Sequence, residues 1–125
     1  MGAKLAAPEK QVINVMGDAA FGMVGLDIET AVRAQIPILT IILNNSTMAI
    51  YPDSRFPVAN ARYQTKQLSG NFAEVAQALG CYSEKILDPD DVVPAIQRAQ
   101  DVNRSGRPAL LEFITKEEGA YSKFR

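Results

Sequence analysis

Residues 12–45 read VINVMGDAAFGMVGLDIETAVRAQIPILTIILNN. Two apolar runs bracket this stretch, Val12 to Met16 and Ile38 to Leu43. The second run is β-branched and almost wholly apolar, the composition of a strand covered on both faces. Between the runs, a short small-residue stretch from Gly17 to Gly22 precedes an amphipathic segment, roughly Val24 to Gln35, expected to be helical. Strand, helix and strand in this order predict a βαβ unit and hence a parallel sheet with helices on both faces.

The rest of the chain extends the alternation. Asn71-Phe72-Ala73-Glu74 reads as a helix start, with Asn71 as cap and Glu74 in capping-box position. Phe72, Val75, Ala76 and Leu79 form one apolar stripe, and Gly80 is a natural stop. Cys81 to Ile86 is a weaker strand. A last helix begins near Asp88-Pro89-Asp90-Asp91, whose acids suit a helix N-terminus. Its buried face is expected to hold Val92, Ile96, Ala99 and Val102, with Pro94 confined to the first turns. Gly106 and Pro108 end it, ALLEFIT (109–115) is the final strand, and a charged tail runs from Lys116 to Arg125. Within that strand Glu112 reads as an exposed or paired edge charge. Residues 2–7 resemble the last turns of a helix stopped by Pro8, too short to be stable alone.

Composition excludes several classes. The 125 residues suit one domain, and 47% of them are apolar, enough for a core. A net charge of −1 gives no basic surplus for nucleic acid. There is no run of about 18 apolar residues, so no membrane span is predicted, and the first residues lack a secretory h-region. A cytoplasmic setting is therefore the expectation. With no His and a single Cys, an intrachain disulfide and a His-based general base are excluded, and no zinc site is expected. Cys81 reads as a small buried apolar residue.

Two polar elements follow the two strong strands: Gly17-Asp18-Ala19-Ala20 and Asn44-Asn45. Either one alone is also an ordinary turn or strand end. Together, in an open parallel sheet, they fall at the carboxyl edge where ligands bind. Asp18 offers a carboxylate and Asn45 an amide oxygen, hard donors suited to Mg²⁺ or Ca²⁺. Small residues at 17, 19 and 20 let a diphosphate approach the backbone. The stretch is neither a Walker loop nor a GxGxxG fingerprint.

The pair of elements resembles the signature of thiamine diphosphate-dependent enzymes: GDG, a spacer, then NN, with a strand before each. Here the elements are Gly17-Asp18-Ala19, residues 20–43, and Asn44-Asn45. Leu26-Asp27-Ile28-Glu29-Thr30-Ala31 is similar to that family's "ELxTA" helix, and Ile36-Pro37-Ile38 to its "LPV" strand entry. Residues 72–80 and 106–112 also match its recurring patterns, so the resemblance covers nearly the whole chain. It is nearest the acetolactate synthase-like branch.

The resemblance implies a thiamine diphosphate-binding, Rossmann-like α/β fold, N-terminally truncated. It implies Mg²⁺ held by the Asp18 carboxylate, the Asn45 side-chain oxygen and the Thr47 carbonyl. Gly17, Ala19 and Ala20 would line the diphosphate, and Met48, Ala49 and Ile50 would sit near the cofactor. Ala19 departs from the third Gly of GDG, and Ala49 from another common Gly; a positive φ at either would cost about 1 kcal/mol. The resemblance further implies a larger enzyme acting on small 2-oxo acids. Its catalytic Glu would come from a pyrimidine-binding domain of the same or a second subunit, usually in a homo-oligomer. The chain alone is then expected to be inactive and to self-associate through uncovered apolar surface. The stretch from Asn44 to Gly70 shows no sustained period and reads as a long loop, and part of residues 46–68 is expected to be mobile without cofactor. A stand-alone binding or scaffold domain, or a flavodoxin-like module for another phosphorylated ligand, stay open as alternatives.

Overall fold

The ILTIIL run lies in the interior of the sheet. In a computed structural model describing residues 1–48 and 51–118, it becomes β2 (Leu39–Asn44). On one side β2 pairs with β1 (Ile13–Gly17), and on the other with β4 (Ala109–Ile114). The fourth strand, β3 (Tyr82–Ile86), lies outside β4, giving the order β1-β2-β4-β3 with every pair parallel. The remaining helices are α1 (Gly2–Ala6), α2 (Asp18–Val24), α3 (Asp27–Arg33), α4 (Pro57–Tyr63), α5 (Phe72–Ala78) and α6 (Val92–Arg104).

Strand alternation divides the core in two. On one face Ile42 and Leu110 meet Phe21 of α2, Ile28 of α3 and Ala73 and Ala76 of α5. On the other, Leu39, Leu111, Phe113 and Ile86 meet Ala95 and Ala99 of α6. Helices thus cover both faces, as the sequence predicts. Gly80 ends α5 with φ +86°, a left-handed conformation that glycine adopts without a Cβ penalty. Gly25, after α2, answers a different need, since a Cβ there would stand 2.6 Å from the Phe21 ring.

Four expectations are corrected. The stretch Gly17–Gly22 is not a linker before a helix at Val24: α2 begins directly at Asp18, and a second short helix, α3, follows. The long segment after Asn44 is not structureless. It holds a 3-10 turn (Asp53–Arg55) and α4, and a bridge between Thr47 and Gln67 closes it. Val75 is 41% exposed, because α5 turns Phe72, Ala73, Ala76 and Leu79 inward instead. Finally, Glu112 is neither exposed nor at an edge; it lies on an interior strand and is fully buried. Asn71 occupies the cap position of α5 without a side-chain cap bond, and Glu112 takes that role from across the sheet.

Candidate functional site

Parallel pairing brings the two polar elements together. Gly17 stands opposite Leu43 on the neighbouring strand, so Asp18 and Asn44-Asn45 leave the sheet at the same carboxyl edge. Adjacent strands lie about 4.8 Å apart, so the two elements are neighbours in space.

Asp18 is the first residue of α2 and only 3% exposed. Its Oδ1 accepts the Ala19 N–H at 2.8 Å, while its Oδ2 is buried with no hydrogen-bond partner among the described residues. A buried carboxylate oxygen without a partner is costly in a closed protein and is what a cation would satisfy. Gly17 adds room, since among the described residues nothing lies within 4 Å of where its Cβ would be. Gly17 is extended (φ −80°), and Ala19 is helical and not among the positive-φ residues, so the methyl at Ala19 is not strained.

The Asn44-Asn45 element is a tight turn held at several points. The Asn44 Oδ1 accepts the Ser46 N–H at 2.9 Å and the Asn45 Oδ1 accepts the Thr47 N–H at 3.1 Å. Ser46 adopts φ +57°, uncommon for a non-glycine residue. Thr47 is buried, and its hydroxyl donates to the Lys66 carbonyl at 3.3 Å. The Met48 N–H donates to the same carbonyl at 2.8 Å. Met48 also lines a cleft of about 330 Å³ with Tyr51, Phe56, Asn60 and Lys66. Gly17, Asp18, Ala19, Ala20, Asn45, Thr47 and Met48 therefore gather at one edge; Ala49 and Ile50 lie outside the described residues. A larger cleft of about 620 Å³ lies at the opposite, amino edge among Gln11, Gln35 and Asn103, away from this constellation.

Two residues beside the site do not stand out as site residues in the sequence. Lys66, largely buried, pairs with Glu117 at 3.0 Å and Asp53 at 3.4 Å. Its ammonium is held above the usual range chiefly by the hydrogen bond to Glu117. Glu112 is the other, and its signal was a lone charge inside the otherwise apolar ALLEFI. Cys81 behaves as expected: it is buried, and burial pushes its thiol up to about 12.

Among the described residues no three His, Cys, Asp or Glu side chains gather as a metal cage. Mg²⁺ does not require one, since it is commonly held by one or two protein carboxylates together with phosphate oxygens and water.

Residues 1–113 match the family described as "Thiamine pyrophosphate enzyme, C-terminal TPP binding domain". The chain is similar to the acetolactate synthase large subunit of Corynebacterium glutamicum, with 29% identity over 94% of the chain and 20% of that protein. It is 32% identical to sulfoacetaldehyde acetyltransferase of Alcaligenes xylosoxydans xylosoxydans, over 94% of the chain and 20% of that protein. Among solved structures it resembles the thiamine diphosphate-dependent 4-hydroxybenzoylformate decarboxylase of Rhodococcus jostii RHA1, with TM-score 0.78 and 25% identity, covering 95% of this chain and 22% of that one. The chain thus spans about a fifth of the length of these relatives. A parallel sheet that presents Gly17-Asp18-Ala19 and Asn44-Asn45 at one edge, matched along nearly its whole length, belongs to the thiamine pyrophosphate enzyme family as a C-terminal TPP-binding domain.

Proposed function

We propose that this chain is the Mg²⁺- and diphosphate-binding part of an acetolactate synthase-like enzyme that decarboxylates and joins 2-oxo acids. The observation that carries the reading is the buried Oδ2 of Asp18, without a partner among the described residues, at the same sheet edge as the Asn45–Thr47 turn. In this reading the Asp18 carboxylate, the Asn45 Oδ1 and the Thr47 carbonyl hold Mg²⁺. Gly17, Ala19 and Ala20 offer backbone groups and free space to the diphosphate, and Met48 flanks the cofactor. When bound, thiamine diphosphate supplies the carbanion-stabilising chemistry that side chains lack. The chain's own residues would bind and orient it.

The proton-moving carboxylate for such chemistry would come from a pyrimidine-binding domain, in the same or a second subunit of a homo-oligomer. The chain alone would then bind but not turn over. No helix among the described residues is long and apolar enough to cross a membrane, and we place the reaction in the cytoplasm.

Calorimetric titration with thiamine diphosphate tests the site. Binding should require Mg²⁺ and should be lost in Asp18→Ala. Binding indifferent to both the metal and Asp18 would sink this assignment.

A further inference from the structure

Glu112 is fully buried on β4, and among the described residues each of its carboxylate oxygens has one donor. Oε1 accepts the Asn44 Nδ2–H at 2.6 Å, and Oε2 accepts the Ala73 N–H at 2.8 Å. Asn44 is itself only 4% exposed, and it passes the contact on, because its Oδ1 accepts the Ser46 N–H at 2.9 Å and the Ser46 hydroxyl at 3.3 Å. The chain of bonds therefore runs from the first turn of α5, through β4 and the end of β2, into the turn that carries Asn45 and Thr47.

Helix capping alone does not account for this arrangement. Asn71 sits at the cap position of α5, where its own side chain could take a first-turn N–H. Instead its Oδ1 is buried without a partner among the described residues, and a carboxylate from an interior strand reaches Ala73. Burying a carboxylate is costly and would be pointless for a cap that Asn71 could make locally. What Glu112 does in addition is fix the amide of Asn44. With Nδ2 held by Glu112, Oδ1 must face Ser46, and this is the orientation that supports the positive φ of Ser46.

We propose that Glu112 is a positioning residue for the metal–diphosphate site. Through Asn44 it sets the turn that presents Asn45 and Thr47, and through Ala73 it anchors that turn to α5. The role towards the metal rests on the reading that Asn45 and Thr47 hold Mg²⁺. The setting of the turn does not.

A donor–acceptor exchange tests it. Glu112→Gln turns an amide NH₂ towards one of the two donors, and Asn44→Asp sets two carboxylates against each other. The double variant, Glu112→Gln with Asn44→Asp, reverses the polarity of the central bond. The new amide nitrogen at 112 donates to the new carboxylate at 44, the amide oxygen still accepts Ala73 N–H, and the second oxygen at 44 still accepts Ser46 N–H. Net charge is unchanged. Two quantities are read: hydrogen exchange at the Ser46, Thr47 and Ala73 amides, and Mg²⁺ affinity with thiamine diphosphate present. Each single variant should speed exchange at Ser46 and weaken Mg²⁺ by about 10- to 100-fold, the range for groups that orient metal ligands. The double variant should recover both. If a single variant unfolds, rescue by the double still decides the matter. A double variant as impaired as the singles, or singles that leave exchange at Ser46 and Thr47 unchanged, would overturn the proposal. Should the parent chain show no Mg²⁺-dependent binding, the metal reading fails by itself, and the exchange arm still reports whether Glu112 sets the turn.

Discussion

The two edge strands of the sheet are built differently. β3 carries Glu84 and Lys85 in its middle, and Glu84 is held by the Arg98 guanidinium of α6 at 3.0 Å. β1 carries Ile13 and Val15 instead, 47% and 58% exposed. Charge on an edge strand discourages pairing with another chain, whereas a bare apolar edge invites it. β3 thus has the chemistry of an edge, and β1 has that of an interior strand without its cover. An apolar run in the sequence reports what a strand is suited to contact; whether a partner is present is a separate fact.

The largest expected effect sharpens this contrast. Leu110 lies on interior strand β4 at 0% exposure, packed among Phe21, Ile42 and Ala76. Leu110→Ala should cost about 2–5 kcal/mol in urea unfolding, from lost burial and the cavity left behind. Val15→Ala, equally apolar in the sequence, should cost less than about 1 kcal/mol, because much of that side chain already meets water. Equal costs would mean that β1 is covered in solution.

The second effect concerns association. If β1 and the exposed Ile13, Val15 and Leu43 form an adhesive face, light scattering should show the apparent mass of the chain rising with concentration. Val15→Lys, which gives β1 the kind of charge β3 carries, should reduce that rise. A parent chain that stays monomeric throughout the concentration range would break the comparison.

How much of this was legible beforehand follows from the range of the interactions involved. The strands, the α6 face and the Gly80 stop depend on local pattern and appear where periodicity puts them. Asp18 and Asn45 were readable as a pair because parallel strands with a helical crossover must release their ends at one edge. The burial of Glu112 is not legible in the sequence because its partners Asn44 and Ala73 lie 68 and 39 residues away in the chain, and no local period encodes them. The early start of α2 is not legible because Gly17-Asp18-Ala19-Ala20 reads equally well as a turn, and only the packing of Phe21 against Ile42 and Phe72 decides for helix. The segment after Asn44 showed no sustained period because its two helical pieces are short and expose most of their side chains.

The smallest effect tests the charged edge. Arg98 holds the Glu84 carboxyl below the usual carboxylate range, first by its hydrogen bond, and the Tyr82 hydroxyl adds a second donor. A carboxyl whose pKa is lowered on folding adds stability above its unfolded value, near 4.5. That contribution is lost as the pH falls through the lower folded value. Half of the Arg98 side chain is exposed, so water screens the pair and its contribution is small. Arg98→Gln should therefore lower the urea midpoint slightly at pH 7, and the gap to the parent should close on acidification below the folded pKa of Glu84. A gap that persists unchanged in acid would assign the loss to packing of the long Arg98 stem on β3 and would remove charge as the feature separating the two edges.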